Sequence, residues 1–201
     1  MSAQVGYVGH DATNLVTPTE GNQALPGVGD PTTWAPKATR RPLYAAQPLI
    51  TTIAATTSRS HSNYNSLQAG VRQRNVNGFE YMASYTLGKA KSNNRGFYGG
   101  SVFVNSEGAY WQNTYDPEAD YGPTFFDVRH NFVFSATYEL PIGTGRTIGT
   151  DWNAVTDAFL GGWRVSGIFQ ARTGVPVTII DGRQRSLQNE RGFERPNCVG
   201  D

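Results

Sequence analysis

The chain has 201 residues, of which 12% are aromatic, 23 are glycine and only 16% are charged. So low a charged fraction, against roughly 25% in a soluble globular domain, and the lack of long Leu/Ala/Glu/Lys stretches argue against a helical bundle. A formal net charge of +1 supplies no field to draw nucleic acid, and the one cysteine, Cys198, excludes an internal disulfide.

No apolar run reaches the ~20 residues of a membrane helix, which leaves open a β-barrel whose strands cross in about 10 residues with only half of them facing lipid. Residues 1–6 lack a basic start and an apolar stretch, so no signal peptide is expected there.

Taken in chain order, period-two alternation opens briefly at Ala3, Val5 and Tyr7. Residues 8–49 then read as a long irregular loop punctuated by Pro18, Pro26, Pro31, Pro36, Pro42 and Pro48. Residues 50–75 read as one long strand, with an extra hairpin as the alternative and residues 58–62 as the place for a bulge. Its clearer part sets Leu67, Ala69 and Val71 against Gln68, Gly70, Arg72 and Arg74. Asn75-Val76-Asn77-Gly78 is a tight turn, because Gly takes φ > 0 without strain. In 79–87, Phe79, Tyr81, Ala83, Tyr85 and Leu87 share one face and Glu80, Met82, Ser84 and Thr86 the other, so 50–91 forms a long β-hairpin.

Residues 92–125 form a second long loop, rich in Asn, Gly and aromatics. In 126–140, Phe126, Val128, Phe132, Phe134, Ala136, Tyr138 and Leu140 line one face, with His130 the exception. Asp127, Arg129, Asn131, Ser135, Thr137 and Glu139 line the other, with Val133 out of pattern. A link follows in which Trp152, Val155 and Phe159 mark one face of a short helix. In 163–172, Trp163, Val165, Gly167, Phe169 and Ala171 oppose Arg164, Ser166, Gln170 and Arg172. Residues 175–180 are expected to extend that strand, 126–173 forms a second hairpin, and 174–201 is otherwise an irregular tail. The fold class is all-β: an antiparallel segment of an outer-membrane-type β-barrel with about five to six strands, a single partial barrel unit over residues 1–201. Short turns at one end and long loops at the other match short periplasmic and long extracellular connections, so the expected place is the bacterial outer membrane, with the cell surface or the extracellular space as the alternative.

Several stretches resemble the barrel of Oar-like, carboxypeptidase-regulatory-domain TonB-dependent receptors. They include Val5-Gly6-Tyr7-Val8-Gly9, Ser62-Asn63-Tyr64-Asn65-Ser66-Leu67-Gln68, Ala83-Ser84-Tyr85-Thr86-Leu87-Gly88-Lys89 and Phe126-Asp127-Val128-Arg129-His130-Asn131-Phe132-Val133. Tyr138-Glu139-Leu140-Pro141-Ile142-Gly143, Gly161-Gly162-Trp163-Arg164-Val165-Ser166-Gly167-Ile168-Phe169, Thr173-Gly174-Val175-Pro176 and Arg195-Pro196-Asn197 continue the series in family order. The resemblance implies a barrel of about 22 strands around a plug, taking up large substrates with energy from TonB. The sequence holds no plug, no TonB box and no closing strand that ends in an aromatic residue, so the expectation is the barrel portion alone.

Five strands are fewer than the about eight of the smallest single-chain membrane barrels, and open edges in lipid cost several kcal/mol for each unpaired backbone group. Other β-strands are therefore expected as partners, from other parts of the same protein or from identical copies in a homo-oligomer or polymer, with lipid around a receptor. Two functions follow: ligand binding or uptake by a receptor-like barrel, or a structural tube or filament built by strand addition between chains. A soluble lectin-like sandwich is a more distant reading.

No catalytic role and no cofactor are expected. His10, His61 and His130 are scattered, and no zinc pattern or nucleophile elbow occurs. Gly143-Thr144-Gly145-Arg146-Thr147-Ile148-Gly149 reads as a turn rather than a phosphate loop. Asp116, Glu118 and Asp120 are weak Ca²⁺ candidates and read better as a solvated acidic loop. Arg72, Arg74, Glu80, Glu139, Arg164 and Arg172 are expected to face a lumen, as a charged path or as salt bridges. Phe97, Tyr98, Phe103, Tyr110, Trp111, Tyr115 and Tyr121 either bind a ligand or partner, or pack on one another as a loop cap. Trp163, Tyr138 and Phe79 fit an interfacial girdle.

Overall fold

A computed structural model describes residues 1–94, 110–179 and 196. Among these, the principal elements are β1 (Ser2–Glu20), β2 (Ala54–Val76), β3 (Phe79–Ser92), β4 (Gly122–Pro123), β5 (His130–Glu139), α1 (Ala154–Leu160) and β6 (Arg164–Arg172). The sheet runs β1-β2-β3-β5-β6, with β4 paired to β3. The all-β antiparallel architecture is that expected from the alternation, and no helix among the described residues is long and apolar enough to cross a membrane.

The register places like with like. Phe79, Tyr81, Ala83 and Tyr85 of β3 lie across from Tyr138, Ala136, Phe134 and Phe132 of β5. These in turn face Val165, Gly167, Phe169 and Ala171 of β6. Because side chains alternate with period two, one face of these three strands is apolar and the other carries Glu80, Ser84, Thr137, Glu139, Arg164 and Arg172. The exceptions on the polar face are Met82, Val133 and Ile168.

Between β2 and β3 the chain turns on Asn77 (φ 52°) and Gly78 (φ 82°), two left-handed residues in succession, which match the right-handed twist of the flanking strands. The Asn75 side chain accepts from the Gly78 N–H at 2.9 Å, and the Gly78 carbonyl accepts from Glu139 N at 2.8 Å. Short helix α1 begins at Asn153, whose side chain accepts from Thr156 N at 2.9 Å, and stops at the Gly161-Gly162 pair.

Element ends differ from the sequence expectation in three places. The irregular stretch expected from residue 8 starts later, because β1 continues to Glu20. Asn14 takes φ 56° within it and Pro18 follows, so its side-chain period is broken while sheet pairing persists. Strand β5 begins at His130 rather than near residue 126, because Asp127 N donates to Thr124 O at 3.0 Å and its carboxylate accepts from Ala90 N at 2.8 Å, which turns the chain. Residues 173–179 lie outside any strand, Pro176 having no N–H to add to a ladder. The expected single strand over 50–75 appears as β2.

Two compact units divide the chain. The first comprises Met1–Gly9, Asn65–Lys89 and Val128–Gly174, and the second the described parts of His10–Tyr64, Ala90–Asp127 and Val175–Asp201. The buried hydrophobic residues among the described ones, Ala24, Ala90, Tyr110 and Trp111, all belong to the second. The first instead exposes Val5, Tyr7, Leu67, Phe79, Tyr138, Trp163, Val165 and Phe169.

Candidate functional site

In the first unit the polar face of the sheet forms an open groove of about 700 Å³, walled by Arg72, Glu80, Met82, Ser135, Thr137, Ser166 and Ile168. A smaller groove of about 330 Å³ adjoins Ser2, Gln4, Gly70, Arg72, Met82 and Ser84. The Thr137 and Ser166 hydroxyls bond to each other at 3.0 Å across β5 and β6.

Of the six polar-face candidates, Glu139 and Arg164 form an ion pair between directly opposed residues, and Arg146 approaches the second Glu139 oxygen at 3.7 Å. Arg72 and Glu80 line the larger groove. Arg172 lies opposite Asn131, whose side chain accepts from Gln170 at 3.3 Å. Arg74 is exposed next to the turn, and its carbonyl accepts from the Gln73 side chain at 2.9 Å. Arg146 was not among the sequence candidates, because it lies in a turn where no period shows facing. That turn closes with Gly143 N donating to Ile148 O at 2.8 Å and Ile148 N to Pro141 O at 2.9 Å, and Gly143, Gly145 and Gly149 all take positive φ.

In the second unit a polar cluster surrounds the buried aromatics. Trp111 and Tyr110 are each 1% exposed, and the Trp111 indole N–H donates to Asn93 O at 2.7 Å. The Asn93 side chain accepts from His61 N at 2.9 Å and donates to Glu118 at 3.0 Å. Gln23, fully buried, donates to Gln112 O at 2.9 Å and accepts from Thr114 N at 2.6 Å. The Tyr115 hydroxyl donates to Gln23 O at 2.6 Å, and burial followed by the Glu20 charge raises its pKa. One Glu20 oxygen accepts from Asn22 N at 3.0 Å and Ile53 N at 2.6 Å. Tyr121 stacks on His61 at 4.9 Å between centroids, and Lys91 sits 5.7 Å over its ring.

Of the seven loop aromatics, Tyr110 and Trp111 are therefore packed inside, Tyr115 and Tyr121 are exposed at the surface, and Phe97, Tyr98 and Phe103 lie outside the described residues. The three acidic candidates do not act together. Asp120 is buried and accepts from Gln112 N at 2.7 Å, Glu118 faces Asn93 and lies 3.6 Å from His61, and Asp116 is exposed. Among the described residues no group of His, Cys, Asp or Glu has the geometry of a metal site.

The amides of Asn22, Gln23 and Asn93 were missed in the sequence because they lie where no alternation marks burial. The weak signal available was their position beside strand ends, where orphan backbone groups need partners.

The model for the outer membrane beta barrel domain matches residues 1–201. No curated protein and no solved structure matches the chain. An antiparallel sheet with one charged face, one exposed apolar face and no buried apolar core beneath it fits that match, and the chain belongs to the outer membrane beta barrel domain family, with its place in the outer membrane.

Proposed function

We propose that this chain is the barrel portion of a TonB-dependent-receptor-like protein that binds or takes up a ligand along the polar face of its sheet. The observation that carries the reading is the gathering of Arg72, Glu80, Glu139, Arg164 and Arg172 with the groove on that face, opposite a face whose strand residues are largely aromatic or aliphatic. A water-filled path needs such a face, whereas lipid penalises each Arg by ~2–4 kcal/mol at mid-membrane. The resemblance of the strand motifs to Oar-like receptors supports the same reading. It assigns the chain no catalytic step and no cofactor; its work is recognition and passage.

The test is binding of the periplasmic domain of TonB to the full-length protein purified from outer membranes in detergent. A stoichiometric complex is the expected result, and no complex at any concentration up to the solubility limit of either partner overturns the receptor reading.

One observation favours a second reading. Among the described residues β1 and β6 are the outermost strands in the sheet order, and every residue of β6 is exposed. Strand addition by a second copy at these edges would satisfy their backbone groups and build a tube or filament. Electron microscopy of native material separates the two readings: discrete particles support the receptor, and tubes or filaments of identical copies support the polymer.

A further inference from the structure

We infer that the apolar face of the first unit is a lipid-contact surface whose edge remote from the Asn77-Gly78 turn is set by two polar pairs, Tyr85 with His130 and Tyr7 with Asn65, lying at the level of the lipid headgroups. The inference rests on the family's membrane placement and is independent of the uptake reading.

Three observations support it. On β3, β5 and β6 the row that includes Phe79, Phe134, Tyr138, Val165 and Phe169 holds no Asp, Glu, Lys or Arg between the Phe79–Tyr138 pair and the Leu87–His130 pair, while the opposite row holds Glu80, Glu139, Arg164 and Arg172. Members of the apolar row stay exposed where water would be expected to drive burial, with Val165 57% and Phe169 59% exposed, so the face needs an apolar solvent or partner.

The height also fits. From Phe79 to Leu87 the strand advances about 27 Å at about 3.4 Å per residue, or about 21 Å when tilted about 40°, close to the apolar band of about 25 Å on membrane barrels.

The polar groups on this row come at its end. The Tyr85 hydroxyl and His130 Nδ1 lie 2.7 Å apart, beside the last β3–β5 pair, and the Tyr7 hydroxyl donates to Asn65 Oδ1. Asn65 is farther from the turn than Gly70, which approaches Ala83, so both pairs lie toward the same end. Polar atoms that satisfy each other and still border an apolar row suit the interface, where one side is wet. At the opposite end, Phe79 packs edge-on to Tyr138 at 6.0 Å, the aromatic pair that would mark the other interface. The occupant is the acyl chain of phospholipid or lipid A, since a protein partner would have to match an uncharged row across several strands.

The experiment uses the full-length protein in phospholipid vesicles, with Cys198→Ser as background and single spin-labelled cysteines at Phe169, Ser166 and His130. Collision with oxygen should exceed collision with a water-soluble nickel chelate at position 169, the order should reverse at 166, and position 130 should give nearly equal values. Equal behaviour at 169 and 166, or the reverse order, overturns the inference. A photoactivatable diazirine phospholipid, used on the unsubstituted protein, covers the case in which a variant fails to fold. Adducts on Val165 and Phe169 but not on Arg164 and Ser166 are expected, and adducts on the latter pair or on neither pair overturn it.

Discussion

The Trp111 indole donates its N–H to the carbonyl of Asn93 at 2.7 Å, inside a unit whose buried residues are mostly polar. Asn93 also uses both ends of its side-chain amide, toward His61 N and Glu118. Removing that amide in Asn93→Ala strands a backbone N–H in a buried site, which costs about 1–3 kcal/mol. Amide hydrogen exchange at His61 should accelerate by about ten- to a hundred-fold, with exchange in the β5–β6 ladder unchanged.

Tyr115 gives the second unit a predictable alkaline limit. Its folded pKa is raised by burial and by Glu20. Below the ordinary tyrosine value of about 10 both states hold the proton and nothing depends on pH. Above it the unfolded chain binds fewer protons than the folded one, so stability falls as pH climbs toward and through the raised value. The phenolate also loses its donated bond to Gln23 O. Protease susceptibility of the loops should therefore rise above pH about 10, and Tyr115→Phe should remove that rise.

The β2–β3 turn should be intolerant of side chains at Gly78. Its φ is 82°, and an added Cβ would lie 2.8 Å from the Glu139 carbonyl oxygen, a backbone atom that itself belongs to β5. Gly78→Ala is expected to destabilise the protein by more than about 1 kcal/mol in urea titrations of folding into vesicles. Gly167→Ala, at a position with no atom within 4 Å, should stay close to the parent.

The Glu139–Arg164 pair should matter little to stability. Both side chains meet solvent, Arg164 at 63%, so Glu139→Gln is expected to cost no more than ~1 kcal/mol at low salt and nothing measurable near 1 M salt. The same urea titration reads it.

Charge placement on the two faces supplies a sharper contrast. Phe134→Arg, in the apolar row, should cost ~2–4 kcal/mol when the protein folds into vesicles. Ser135→Arg, one residue along on the groove side, should cost well under half as much. Equal penalties would show that the two faces do not meet different solvents.

Where burial is one-sided, the sequence disclosed the structure: Phe79 to Leu87 and His130 to Tyr138 fall into register as their alternation suggested, and so does the strand from Arg164 to Arg172. Strand β1 was legible only at its start, because a left-handed Asn14 and Pro18 interrupt the period while pairing with β2 carries the strand on. The polar candidates Arg72 and Glu80 were legible for the same reason as the strands, and their shared groove follows from the register. Gln23 and Asn93 were not legible, since an amide that replaces a missing backbone partner looks in sequence like any loop amide. The histidine that breaks the apolar row was visible beforehand; its tyrosine neighbour across the strands was not.

Gln23 offers positions 112 and 114 the donor and acceptor that an adjoining strand would have supplied. A segment held in this way is measured by distance rather than by composition: one inserted residue between Gln112 and Thr114 would part both bonds together, while exchanging the side chain at 112 would touch neither. Spacing is thus what this stretch must inherit intact, and its surface chemistry is left free to diverge.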